Sequence, residues 1–239
     1  MAAHTGIVWT DATWNPVTGC TKVSPGCKHC YAERDWARLA ANPKTRYHGR
    51  EFTDVQYHMD VLELPLHWKK PRRIFVNSMS DLFHEDVPTD VIADVFGIMA
   101  AARHHTFQVL TKRPERMRYE LSDWGFRGMV DECAAMYSGA IARWPLPNVW
   151  IGVSVEDQAT AEERIPLLIE TPAEVRWISA EPLLGSLNLY DWIGPWGTPE
   201  QLQAPAMLDW IVVGGESGPK ARPMHPEWVR ILRDQCAVA

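Results

Sequence analysis

VWIGVSVEDQATAEERIPLLIETPAEVRWISAEP, residues 149–182, holds two short apolar runs on either side of one longer polar-apolar stretch. VWIGVSV and VRWISA are rich in Val, Ile and Trp and are nearly continuous rather than alternating, the pattern of strands covered on both faces. DQATAEERIPLLIE between them is long enough for a helix, made irregular by Pro166. Strand, helix and strand in this order read as a parallel βαβ unit. Both runs also close alike, with a small residue, one more residue, then a glutamate: Ser154/Glu156 and Ser179/Glu181.

On either side of this unit, ATWNPV, RIFVNS, TFQVLT and LDWIVVGG supply four more strand candidates, six in all. LDWIVVGGESG repeats the ending as Gly214/Glu216; the other informative ends are Asn77, Ser78, Ser80 and Asp81, and Thr111, Lys112 and Arg113. YAERDWARLAAN, TDVIADVFGIMAAARHH (with Thr89 as N-cap) and HPEWVRILRDQC read as helices. Residues 119–147 resist assignment and stand as an insertion or an extra helix. The expected fold is α/β, one domain over residues 1–239, a partial (β/α)6 barrel with parallel strands and helices outside. Barrel strands open their carboxyl ends on one face, so Lys112, Arg113, Glu156, Glu181 and Glu216 are expected in one mouth. At any single strand end, Ser, Gly and Glu could instead cap the next helix; the recurrence favours the shared mouth.

Composition narrows the setting. A chain of 239 residues, 46% hydrophobic, buries a sizeable core. It has no run of 18 apolar residues and no charged-then-apolar start, so no membrane span or secretory signal is expected, and a cytoplasmic protein is. A net charge of −6 argues against wholesale wrapping around nucleic acid. The positive charge is local, in KKPRR (residues 69–73) and TKRPERMR (residues 111–118). Of the twelve tryptophans, Trp150, Trp177 and Trp210 read as packing within strands, while Trp14, Trp68, Trp124 and Trp196 could stack on bases. The pair His104-His105 at a helix end needs no ligand role.

GCTKVSPGCKHCYAER, residues 19–34, carries three of the five cysteines, spaced C-x6-C-x2-C, between the first strand and the first helix. Clustered thiols in a reducing compartment point to a metal or redox centre rather than a disulfide framework. Helix N-terminal amides favour thiolates there. A closed zinc site wants four ligands, and His29, His48 or Cys133 could supply the fourth. Three thiolates, Cys20, Cys27 and Cys30, suit a [4Fe–4S] cluster with one open iron.

The cysteine loop, with the Tyr-Ala-Glu that follows it, resembles the radical S-adenosylmethionine (SAM) enzymes. Their usual spacing is C-x3-C-x2-C, and His29 stands where an aromatic residue is common. WTDATWNPVTGC, CYAER, NSMSDLF, TKRP and AEPLLG together resemble an uncharacterised three-cysteine family of phages and bacteria, over nearly the whole chain. The radical SAM resemblance implies a cluster whose open iron chelates SAM, and one-electron cleavage of the sulfonium to methionine and a 5′-deoxyadenosyl radical. By position, it places Asn77, Ser78, Ser80 and Asp81 on the methionine moiety and Glu156 on the ribose hydroxyls or the amino group, with Ser154 also cofactor-binding. Lys112 or Arg113 would offset the SAM carboxylate, and with Glu181 and Glu216 they form the implied catalytic set. The implied partner is a reductant protein, and the basic residues near the mouth favour a phosphate-bearing substrate, a nucleic acid or nucleotide. The competing function is a non-catalytic, metal-stabilised barrel, a phage protein that binds a partner; for a phage-encoded chain the compartment is the host cytoplasm.

Overall fold

The computed structural model describes residues 5–137, 143–194 and 207–239. In chain order its elements are β1 (Ala12–Trp14), β2 (Val17–Thr18), α1 (Tyr31–Ala40), β3 (Gln56–Tyr57), α2 (Leu64–His67), β4 (Arg73–Val76), α3 (Thr89–Ala101) and β5 (Thr106–Thr111). There follow α4 (Pro114–Ser122), α5 (Trp124–Tyr137), β6 (Val149–Ser154), α6 (Gln158–Glu170), β7 (Val175–Ala180), α7 (Tyr190–Ile193), β8 (Trp210–Val213) and α8 (Pro226–Val238). Six strands form one all-parallel sheet in the order β1-β4-β5-β6-β7-β8, matching the six expected from their apolar runs. The first expected run is shorter than its sequence suggests. Asn15-Pro16 breaks it, and Val17–Thr18 turns away to pair with β3 in a separate two-stranded sheet.

Alternate residues on each strand go to opposite faces. Ile74, Val76, Phe107, Val109, Ile151, Val153, Ile178 and Ala180 are buried in the main core with α3, α5 and α6 residues such as Phe96, Phe126 and Ile165. The other face carries Phe75, Gln108 and Trp150 in adjacent register, then Gly152, Trp177 and Trp210. The Trp9 ring packs edge-on against Phe75 at 4.9 Å, Trp177 at 5.4 Å and Trp210 at 5.9 Å. Phe75 is on the second strand of the order and Trp210 on the sixth. Four strand spacings would separate them by roughly 19 Å in a flat sheet. One indole reaches both, so the sheet is curled around Trp9, although it does not close on itself: β1 and β8 are its edges. Gly152 is required here, because a Cβ on it would stand 2.6 Å from Trp177 Nε1.

The segment left open by the sequence is two helices, α4 and α5, and α5 packs along α3. Thr89 does not cap α3: Pro88 holds the cap position, and the Thr89 hydroxyl donates to Glu120 Oε1 at 2.8 Å. Asp157 does cap α6, its side chain accepting from Thr160 N at 2.9 Å in a capping box. No described helix is long and apolar enough to cross a membrane.

Candidate functional site

The carboxyl ends of the sheet strands and the 20–30 loop enclose a cavity of about 720 Å³. Cys20, Cys27 and Cys30 all line it as free, partly exposed thiols, together with Asn77, Ser78, Ser80, Asp81, Lys112, Arg113, Ser154, Glu181 and Glu216. The shared mouth expected from the strand endings is therefore present. Glu156 is the exception. It is fully buried behind the wall and does not line the cavity.

Each strand end does a distinct job for the cysteine loop. After β4, Asp81 accepts from Thr111 Oγ1 (2.7 Å) and Lys112 N (3.0 Å), tying the ends of β4 and β5 together. It also pairs with Arg113 at 3.3 Å. Arg113 Nη2 donates to the Thr21 hydroxyl at 2.8 Å, and Arg113 Nη1 lies 3.8 Å from Cys20 Sγ. After β6, Glu156 pairs with Lys112 Nζ (3.0 Å) and Arg164 Nη1 (3.2 Å), and accepts from Ser24 Oγ at 2.9 Å. Gly26 lies flat on this carboxylate: a Cβ there would fall 2.6 Å from Glu156 Cδ. After β8, Glu216 is clamped by Arg222, while His29 Nδ1 sits 2.8 Å from its Oε2 and Arg222 Nη2 donates to Pro25 O at 2.9 Å. The Arg222 hydrogen bonds hold the Glu216 carboxyl down, to a pKa of about 2.

Asn77 has a left-handed backbone (φ 60°), uncommon for a residue other than glycine and concentrated at functional sites. Its Oδ1 accepts from Val17 N at 3.2 Å, whereas its buried Nδ2 has no partner among the described residues. Ser78 Oγ donates to Asn15 Oδ1 (3.1 Å) and Ser80 Oγ to Val17 O (2.8 Å), so both hydroxyls are committed to local structure. The Ser154 carbonyl accepts from Arg164 at 2.8 Å.

Two expectations about the thiols change. Burial, followed by the charge of Asp81, pushes the Cys20 pKa up to about 12, so its place in the loop by itself disfavours a thiolate. Cys133, a candidate fourth ligand, is buried on α5 against Gly97 of α3, with its thiol donating to Asp94 O at 3.6 Å, and is not part of the cavity wall. Among the described residues no group of three or more His, Cys, Asp or Glu is gathered to hold a metal ion. The basic islands also part company. Residues 69–73 lie at the amino end of β4, away from the mouth, and Arg116 and Arg118 pair with Glu120 and Glu170. Of the loop tryptophans, Trp14 is core, Trp68 stacks with Arg72, and Trp124 is 79% exposed beneath Arg127. Trp196 lies outside the described residues.

Sequence reasoning missed Trp9, Ser24, Gly26, Arg164 and Arg222, which shape the cavity or its loop. Arg222 could have been suspected from its place six residues beyond Glu216, in the same strand-end segment.

An open, curled parallel α/β sheet, with a thiol-bearing loop across the carboxyl ends of its strands, is the class that fold and cavity define. Over residues 4–239 the chain matches the family described as "Protein of unknown function (DUF5131)", and it belongs to that family. No curated protein and no solved structure matches it.

Proposed function

We propose that the protein is a radical SAM-type enzyme whose curled sheet is a partial (β/α)6 barrel, acting in the cytoplasm on a phosphate-bearing substrate, a nucleic acid or nucleotide. The observation that carries the reading is the meeting of Cys20, Cys27 and Cys30 with the polar strand ends around one cavity of about 720 Å³. The donor set fits the implied group. Three free thiols without a fourth cysteine in the wall suit a [4Fe–4S] cluster with one open iron. Sulfurs bound to three different irons also need not crowd together as the ligands of a single ion do. When bound, the cluster and SAM supply a 5′-deoxyadenosyl radical able to take hydrogen from the substrate.

The chain's own residues hold and orient. Arg113, Glu156 and the Glu216–Arg222 pair fix the cysteine loop from three strand ends. The unpaired Asn77 Nδ2 offers a donor to an acceptor oxygen of SAM's methionine moiety. Lys112, fixed by Glu156, brings positive charge to the wall for a carboxylate or phosphate. Trp9, Phe75, Trp177 and Trp210 pack the interior below the cavity, keeping water from that side.

The test is anaerobic reconstitution with iron and sulfide, followed by absorption and paramagnetic resonance spectra with and without SAM. Wild type should take up a cluster, perturb its spectrum on adding SAM, and on reduction release 5′-deoxyadenosine. Cys27→Ala should hold no cluster. Protein that carries the cluster yet neither binds nor cleaves SAM ends the enzyme reading; stoichiometric four-coordinate zinc favours a metal-stabilised binding protein instead.

A further inference from the structure

Three of the four carboxylates gathered at the strand ends have a cationic partner within ion-pair distance: Asp81 with Arg113, Glu156 with Lys112 and Arg164, Glu216 with Arg222. Glu181 has none among the described residues, although it faces the cavity. The Ser179 hydroxyl reaches its Oε2 only at 3.4 Å, and its ionised form is favoured by hydrogen bonding from Ser179 and the Trp9 indole and then by Lys112 from beyond pairing distance. Burial raises its pKa, the mark of a carboxylate short of compensation. Such a group is costly unless something entering the site donates to it.

The walls around Glu181 narrow what that something is. Trp9, Tyr31, Phe52 and Phe75 line the same cavity, giving aromatic surface suited to the face of a flat ring. A carboxylate accepts two parallel N–H donors in its own plane. A flat ring with two adjacent donors on one edge satisfies both features. Guanine offers ring N1–H beside its exocyclic amine. Adenine and cytosine set a lone pair beside their single amine, which an ionised carboxylate repels, and hypoxanthine lacks the amine.

We infer that Glu181 reads the donor edge of a guanine base, which lies against the aromatic lining of the cavity. This rests on the nucleotide or nucleic-acid reading above and specifies its substrate. The pairing is set by Glu181's two oxygens, so neither phosphate nor sugar is needed to explain the choice of base.

The test is calorimetric titration of GMP, IMP and AMP into the full chain purified without added iron, as wild type and Glu181→Gln. Thermal melting verifies that the variant stays folded. Each lost charge-assisted hydrogen bond should weaken binding about tenfold or more. GMP should therefore bind at least about tenfold tighter than IMP or AMP, and Glu181→Gln should remove that preference by weakening GMP without weakening AMP, whose lone pair and amine an amide can meet. No detectable GMP binding, GMP no tighter than IMP or AMP, or an unaltered preference in Glu181→Gln overturns the inference. The titration needs no cluster, so the two readings fail separately. A reconstituted protein inert toward SAM leaves the base preference standing, and an absent preference in a protein that cleaves SAM removes only the guanine assignment.

Discussion

Glu156 should be the most expensive carboxylate in the chain to remove. It is fully buried, and the Arg164 side chain beside it is only 2% exposed. Glu156→Leu leaves that guanidinium with Ser154 O and the distant, exposed Glu163, and leaves Ser24 without its acceptor. Breaking a buried pair from one side costs about 3–5 kcal/mol, because the surviving charge stays desolvated. For a chain of this size that corresponds to a melting point lower by about 6–20 °C. Arg164→Met should cost less, since Lys112 still neutralises Glu156. The double variant should be less destabilised than the two losses added, by more than about 1 kcal/mol, because replacing both partners with apolar side chains removes the stranded charge. Urea unfolding of the four proteins measures the cycle. Hydrogen exchange across residues 24–30 should quicken in Glu156→Leu, as Ser24 and Gly26 lose the surface they rest on. Single losses under about 1 kcal/mol, or strict additivity, would refute the claim that this carboxylate anchors the loop.

The Glu216 carboxyl, held down to about 2 by Arg222, favours folding above its unfolded pKa, and that contribution fades as pH falls from about 5 toward 2. The stability gap between wild type and Glu216→Gln should therefore be constant near neutrality and shrink in acid; a gap that widens in acid would contradict the clamp. Burial pushes the thiols of Cys20 and Cys133 up to about 12 and raises Cys236 as well, but only Cys236 of the three is exposed, so iodoacetamide at pH 8, followed by peptide mass spectrometry, should label it before either. Early labelling of Cys133 would mean that α5 is not packed on α3 as described. Gly152→Ala should cost about 1–3 kcal/mol in urea unfolding by forcing Trp177 aside, and an unchanged midpoint would show that the curl is not closely packed there.

The sheet was legible because most of its strands are dense runs of aliphatic and aromatic residues bounded by polar ones, as in RIFVNS and TFQVLT. Helices α4 and α5 were not, because Asp123 breaks the chain between them and Gly125 and Gly128 interrupt the apolar spacing of Phe126 and Val130. Trp9 stands alone in an irregular segment, and no periodicity announces that it organises the curl. The repeated ending of small residue, spacer and glutamate located the mouth but could not assign its members. Glu156, Glu181 and Glu216 share the pattern, yet one is a buried anchor, one is unpaired in the cavity and one is clamped. Their fates depend on Arg164, on the absence of a cationic partner among the described residues, and on Arg222, none of which the strand ending encodes. The cysteine loop was legible as a cluster of thiols, but its fastening was not, since Ser24 and Gly26 are unremarkable residues in a turn.

That fastening has a temporal consequence. The loop's hydrogen-bonded partners lie 92 residues away in Arg113, 132 in Glu156 and 187 in Glu216. Closing loops of such length costs chain entropy, which is lowered once the intervening strands have paired, so contacts of this separation are expected late. The three thiols thus reach their mutual positions when β8 and its following segment have joined the sheet, late in folding. If the proposed cluster is bound, its loading with iron and sulfide would be a maturation step performed on an assembled protein, not a nucleation event that guides assembly. A ribosome-bound chain still lacking Arg222 would present the same three cysteines to the cell without a seat for a cluster.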